Sequence, residues 1–293
     1  MMNMTNANII ARVDGINGKL YEAGAEFRAV YDRVWKAGGE RDALILKADD
    51  NSVSPVAYPD SSWWQMTDTE ISEILQDMYA NANYRDPSIV RKHMTEQHIR
   101  ASVLPRLLSG KNTAALKQNG ITHVPFLDMA VVFYVPVSSY VIDGIASYRI
   151  TDCLLVEMGI TKETLCTWAA NNLQAQDPVF LPMASVLEEM CGREADCETG
   201  LWVLTNEERL FGAAMLQRDD VLKEIGQRFK GDAVILPSSV HEILALPYEE
   251  TIDLLSLTEM VQAINAKCVK PEDVLSDNVY IYHRKDGHLT AVL

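Results

Sequence analysis

Apolar residues at intervals of three and four predict several amphipathic helices. One is expected over residues 20–37, where the pattern ends at Gly38-Gly39, and another begins at Thr67, which has the spacing of a capping box with Glu70. A third pattern, over residues 89–108, is kinked or ended by Pro105, which lacks an amide hydrogen. Further helices are predicted to open at Thr161 and Pro182, and to span residues 219–230 and 257–266.

Short runs rich in β-branched and aromatic residues predict strands between these helices. Residues 126–137 form the most hydrophobic segment and predict a central strand, with residues 146–150 beside it. Paired strands are also expected at residues 43–47 and 53–58, around a turn at residues 49–52, and at 201–205 and 210–216. The remaining predictions are a strand at 233–236, a short element at 241–246, a polar loop at 192–200, and a closing hairpin (279–283 and 289–293) around Asp286-Gly287.

This order of elements predicts an α+β fold, with mostly antiparallel sheets and packed amphipathic helices. Residues 1–125 are assigned to an N-terminal helical and hairpin region and residues 126–293 to an acidic α+β domain. The boundary rests on a shift in charge, and no Pro, Gly or Ser-rich linker marks it, so one integrated unit stays open as the alternative.

Composition excludes a disordered chain. The 293 residues are 48% apolar and 23% charged, with a mean hydropathy of −0.05, which is enough apolar surface for a compact core.

The net charge of −15 narrows the class of partner. Residues 1–125 hold 14 basic and 15 acidic side chains, whereas residues 126–293 hold 12 and 26. Nucleic acids and anionic lipids bind through Lys and Arg, so direct binding to either is not expected. Three roles are open for the acidic C-terminal part: a surface that keeps the protein soluble, a binding surface for a basic protein, or a mimic of a phosphate backbone.

We expect a cytoplasmic protein with no membrane segment, because no apolar run reaches the roughly 18 residues of a spanning helix and the start lacks secretion features. The five cysteines contain no CxxC pair, so neither a disulfide framework nor a zinc site is expected, although Cys191 and Cys197 flank a loop. Phosphate-loop patterns are absent and no cofactor is expected. His93 and His98 point apart on a helix, and His283 and His288 face each other on a hairpin, so no metal site is predicted.

The densest group of reactive side chains lies between residues 238 and 242. A hydrolase would use Ser238 or Ser239 as the nucleophile, His241 as the base and Glu242 or a distant carboxylate to orient it. The favoured interpretation is structural: Ser239 caps a short helix, with Glu242 as its capping-box partner. A polar cluster beneath a turn is the third possibility.

Two further places are weak candidates for binding. Asn206 and Arg209 lie at the tip between two predicted strands, where Asn206 is expected to serve turn geometry. Tyr280 and Tyr282 alternate with Ile281 and give one strand face an aromatic character, which indicates packing more than a stacking surface for a ligand.

Four segments, at residues 126–134, 203–214, 235–242 and 275–282, resemble the uncharacterised bacterial domain-of-unknown-function family 5688. The resemblance extends over about residues 40 to 289 and departs near residues 60–66 and 192–200. It implies a protein of gut anaerobes, with an association with mobile-element genes, and carries over no activity, cofactor or catalytic residue. The sequence therefore favours a non-catalytic cytosolic binding or accessory protein with an acidic C-terminal surface for a macromolecular partner. The alternative is a hydrolase that uses residues 238–242.

Overall fold

A computed structural model describes residues 6–48, 54–82, 93–141, 144–192 and 200–292. The chain divides into two compact units, Met1–Thr95 and Glu96–Leu293. The division lies before the charge shift at position 125, which falls inside a strand of the second unit.

Among its described residues, the first unit combines two helices with a small antiparallel sheet. Its elements are α1 (Asn6–Glu22), β1 (Phe27–Lys36), β2 (Gly39–Ala48), β3 (Val56–Ala57), a 3₁₀ turn (Trp63–Gln65) and α2 (Asp68–Asn81). The sheet order is β1-β2-β3. One face of α1 supplies Ile9, Val13, Ile16 and Leu20 to a core shared with α2 and the sheet.

The predicted helix over residues 20–37 is wrong, because α1 ends at Glu22 and the chain continues as β1. Phe27 and Ala29 are buried while Arg28 is exposed, the alternation of a strand, and β1 pairs with β2 from Phe27↔Ala48 to Lys36↔Gly39. Gly38, at φ 90°, permits the two-residue turn between the strands. The apolar residues of this segment fit both the three-to-four-residue spacing of a helix and the two-residue alternation of a strand. Pairing with β2 selects the strand.

The helix start at Thr67 is confirmed as a full capping box. The Thr67 hydroxyl accepts from the Glu70 N–H at 3.2 Å, and the Glu70 carboxylate accepts from the Thr67 N–H at 2.7 Å.

The second unit contains two sheets and seven helices among its described residues. The helices are α3 (Glu96–Ser102), α4 (Thr113–Gln118), α5 (Asp152–Met158), α6 (Lys162–Gln174), α7 (Met183–Cys191), α8 (Asp219–Phe229) and α9 (Leu254–Lys267). The strands are β4 (Leu104–Ser109), β5 (His123–Phe126), β6 (Met129–Val141), β7 (Gly144–Arg149), β8 (Pro178–Pro182), β9 (Trp202–Asn206), β10 (Ala233–Leu236), β11 (Ile243–Pro247), β12 (Tyr280–His283) and β13 (His288–Ala291). The α+β prediction is confirmed, and the paired strands are all antiparallel.

The first of these sheets is built around β6, which pairs with β4, β5 and β7. This confirms the central strand and the neighbour predicted at residues 146–150. The predicted helical pattern through Leu108 is wrong in its last part. The helix stops at Ser102, and the chain turns extended because the residue before Pro105 avoids helical angles.

The second sheet has the strand order β13-β12-β10-β11-β9-β8. The strand predicted at residues 210–216 is wrong: Gly212–Gln217 is a 3₁₀ helix that is almost wholly buried. A continuous apolar run fits a buried helix as well as a strand, and the pattern alone could not separate them. The helices at 161, 182, 219–230 and 257–266 and the closing hairpin are confirmed. The turn at 49–52 and the loop at 193–199 lie outside the described residues.

Candidate functional site

Phe211 occupies the centre of a cluster of side chains in the second unit. Its backbone is left-handed, with φ 58°, a conformation that is costly for a residue with a side chain. Its ring stacks on His241, with centroids 5.4 Å apart, and meets Tyr134 edge to face at 5.3 Å. The guanidinium carbon of Arg106 lies 4.0 Å from the centroid of the same ring.

The loop after β9 fixes Phe211 in this place. The buried Asn206 side chain donates to the carbonyl of Leu210 and accepts from its N–H, both at 3.0 Å. A Cβ on Gly212 would lie 2.2 Å from Thr205 Oγ1, so only glycine fits after Phe211. Asn206 therefore stabilises the turn, as expected from the sequence. Arg209 also has a left-handed backbone, and its side chain forms an exposed ion pair with Glu189.

Both nitrogens of His241 face partners within the protein. The Phe211 N–H donates to Nδ1 at 3.3 Å, so the neutral ring carries its proton on Nε2, which lies 3.4 Å from Asp273 Oδ1. Burial lowers the pKa of His241 below 6.5, and Asp273 opposes this shift. The ring is consequently neutral near pH 7, with neither nitrogen directed to a serine hydroxyl among the described residues.

Ser238, Ser239 and Glu242 form a turn. The predicted helix cap is wrong because residues 237–242 are not helical. Ser239 Oγ accepts from the His241 N–H at 3.1 Å, the Ser239 N–H donates to the Glu242 carbonyl at 3.2 Å, and the Ser238 hydroxyl donates to the Glu242 carboxylate at 3.3 Å. The polar cluster beneath a turn is the arrangement observed.

Tyr280 and Tyr282 point into the protein and are almost fully buried. The Tyr280 hydroxyl donates to the Asp128 carboxylate. The same hydroxyl oxygen lies 2.8 Å from Ser276 Oγ. Tyr282 packs against Gly226 of α8, where an added Cβ would lie 2.9 Å from its ring. Neither ring offers a surface on which a ligand could stack.

A groove of about 200 Å³ runs along α9 and is lined almost entirely by apolar side chains. Met260 and Ile264, one turn apart on α9, are 54% and 47% exposed at its edge. Leu236, Leu244 and Leu246 of the second sheet line the other side. Three exposed acidic residues, Glu249, Glu250 and Asp253, precede α9, and Lys267 is the last residue of the helix.

A second cavity, of about 540 Å³, lies between the first sheet and α6. Its apolar lining includes Phe126 and Phe133, and Arg218 lies at its polar edge. Arg218 is buried but fully engaged, since it pairs with Asp220 and donates to the carbonyls of Leu173 and Gln176.

The remaining candidates hold no assembled site among the described residues. The rings of His283 and His288 lie 4.8 Å apart, as the hairpin predicted, but His283 faces Thr290 and Asp232. Cys153, Cys166 and Cys268 are free thiols, and the pair Cys191 and Cys197 lies outside the described side chains. The described part of the chain has no group of three or more His, Cys, Asp or Glu side chains that could hold a metal ion. None of its helices is both long and apolar enough to cross a membrane.

Sequence reasoning missed Arg106, Tyr134, Phe211 and Asp273. They come from β4, β6 and two separate loops, and no sequence spacing links them. The one available signal was the Asn206–Gly212 segment, in which a turn residue and a glycine flank a large aromatic residue.

The fold and the cluster define an α+β protein in which an Arg, two aromatic rings and a neutral imidazole meet beneath a clamped loop. The sequence of the chain matches the Family of unknown function (DUF5688) over residues 14–284. The chain belongs to this family. No curated protein and no solved structure matches it.

Proposed function

We propose that this chain is a non-catalytic binding protein whose larger unit takes a basic, amphipathic segment of another protein into the α9 groove. The observation that carries the proposal is the combination of an apolar groove, exposed Met260 and Ile264, and acidic residues at one end. Apolar side chains exposed together on a protein surface mark interaction sites.

The size of the groove supports a protein partner. At about 200 Å³ it is smaller than the roughly 300–1,000 Å³ of small-molecule pockets, and suits one or two aliphatic side chains inserted from a partner helix or strand.

The charge supports a basic partner. Residues 96–293 hold 27 acidic and 16 basic side chains, a net charge of −11, against −4 for residues 1–95. The acidic loop before α9 and Lys267 in its last turn would orient the partner, with its basic residues towards the start of α9.

The geometry of His241 weighs against the hydrolase alternative. A serine nucleophile needs a hydrogen bond to the base, whereas the imidazole nitrogens face Phe211 and Asp273. The proposal includes a cytosolic location, which the free thiols support. The association with mobile-element genes stays a prediction.

A titration tests this function. A fluorescent 18-residue amphipathic helix of Leu and Lys is added to the full chain at 50 and 500 mM NaCl. We expect saturable binding that weakens at least tenfold at high salt, and at least tenfold in the double variant Met260→Ser/Ile264→Ser.

Two matched variants serve as controls. Leu255→Ser changes a residue of α9 that is 69% exposed but does not line the groove, and should bind like the wild type. Glu249→Lys/Glu250→Lys should weaken binding, and Glu259→Lys much less. The proposal would be overturned by an affinity that is the same at both salt concentrations. It would also be overturned if Leu255→Ser weakened binding as much as Met260→Ser/Ile264→Ser.

A further inference from the structure

A second binding site, separate from the α9 groove, follows from the surroundings of Arg106. Arg106 lies on β4 opposite Val132, and Tyr134 lies on β6 between Leu104 and Arg149. Directly opposed residues, and residues two apart on one strand, share a sheet face. Arg106, Tyr134 and Arg149 therefore project from the same face of three adjacent strands.

Arg106 is half-buried, and one of its guanidinium N–H groups lacks an acceptor among the described residues. Its Nε is buried and has no hydrogen-bond partner within the described part of the chain. Burial and the charge of Arg149 lower the pKa of Arg106 to about 10, although Asp273 opposes the shift. A buried N–H without an acceptor is destabilising, so the presence of Arg106 at this position needs a reason.

Arg218 shows how this protein satisfies a buried arginine that has a structural role. Arg218 is only 7% exposed, and its guanidinium pairs with a carboxylate and donates to two backbone carbonyls. Arg106 is placed over the Phe211 ring instead, and that ring is held in a left-handed backbone conformation by the Asn206 clamp.

Tyr134 and His241 are the uncharged polar groups of the cluster, and the acidic Asp273 lies 3.4 Å from His241 Nε2. Burial raises the pKa of Tyr134, so its hydroxyl stays protonated and can donate. Arg149 is exposed, and His241 is half-buried.

We propose that Arg106, Tyr134 and Arg149 bind the carboxylate group of a small organic acid, against the Phe211 ring. A planar carboxylate accepts two parallel N–H groups from a guanidinium. Glu208 and Asp273 act electrostatically on Tyr134 and Arg106, and these negative charges favour a monoanion over a phosphate dianion. An aromatic acid such as benzoate also fits the apolar ring.

The test follows the Nε–Hε resonance of Arg106 by ¹⁵N-correlated NMR of the full chain during titration with benzoate. We expect a saturable shift of the Arg106 signal, little change at Arg218, and at least tenfold weaker binding of inorganic phosphate at equal ionic strength. No saturable shift with benzoate would overturn the site, and tighter binding of phosphate would overturn the assignment to carboxylates.

Two variants separate a binding role from a structural one. Arg106→Met should abolish benzoate binding while leaving Tm unchanged or raised, because it removes the buried N–H that lacks an acceptor and keeps most of the packing volume. Arg218→Met should lower Tm and leave benzoate binding intact. A large loss of Tm in Arg106→Met, or benzoate binding that survives in it, would contradict the proposal. The α9 groove variants should leave benzoate binding unchanged.

Discussion

Asn206 holds Leu210 through both halves of its side-chain amide. Oδ1 accepts from the Leu210 N–H and Nδ2 donates to the Leu210 carbonyl, each at 3.0 Å. These two bonds close the loop after β9 and set the position from which Phe211 reaches Arg106 and His241. A buried amide used in this way is a structural device, and it explains why a polar residue at the end of a strand is 4% exposed.

Asn206→Ala should therefore destabilise the protein by about 2–4 kcal/mol, because it leaves a buried N–H and a buried carbonyl without partners. Urea unfolding measures the free energy. Glu207→Ala, on the same loop but exposed, should change the free energy of unfolding by less than about 0.5 kcal/mol. Equal losses in the two variants would show that the clamp has no special role.

Gly212→Ala should cost about 3 kcal/mol or more, since the added Cβ would lie 2.2 Å from Thr205 Oγ1 and 2.7 Å from the His241 carbonyl oxygen. The matched variant is Gly231→Ala, whose Cβ would have its nearest neighbour, the Phe229 carbonyl oxygen, at 3.9 Å. Its effect should stay within about 1 kcal/mol. A tolerated Gly212→Ala, by thermal unfolding, would contradict this packing.

The two buried tyrosines of β12 should differ sharply. Tyr280→Phe removes a hydroxyl that bonds to Asp128 and Ser276, and should cost about 1–3 kcal/mol. The Tyr282 hydroxyl has no hydrogen bond within the described residues, so Tyr282→Phe should cost less than about 0.5 kcal/mol. Denaturant unfolding of both variants measures the difference, and a reversed order would refute the assigned bonds.

Stability should depend on pH through His241. Its pKa is lowered in the folded protein, so below pH 6.5 the unfolded chain binds a proton that the folded chain does not. The free energy of unfolding should fall as the pH drops through 6.5, and this fall should be smaller in His241→Gln. Urea unfolding between pH 5 and 8 provides the comparison. The same slope in both proteins would mean that His241 does not titrate in this way.

The sequence was sufficient for the elements that local chemistry dictates. Thr67 and Glu70 predicted a helix start, and the apolar run of residues 126–137 predicted the central strand. Elements decided by contacts with other segments were not predictable in this way. Residues 27–36 form a strand because they pair with β2, and the conformation of residues 212–217 depends on the clamped loop before them. Predicting the cluster around Phe211 failed for the same reason, because its members meet only after two sheets have formed.

The turn after Pro237 separates the two functional hypotheses most clearly. If Ser238, Ser239 and His241 serve only the turn and the Phe211 cluster, neither hydroxyl is activated. The measurement is labelling of the native protein with a fluorophosphonate, followed by peptide mass spectrometry of residues 230–248. A binding protein predicts no adduct on Ser238 or Ser239. A stoichiometric adduct on either serine that disappears in His241→Gln would contradict it and establish the hydrolase.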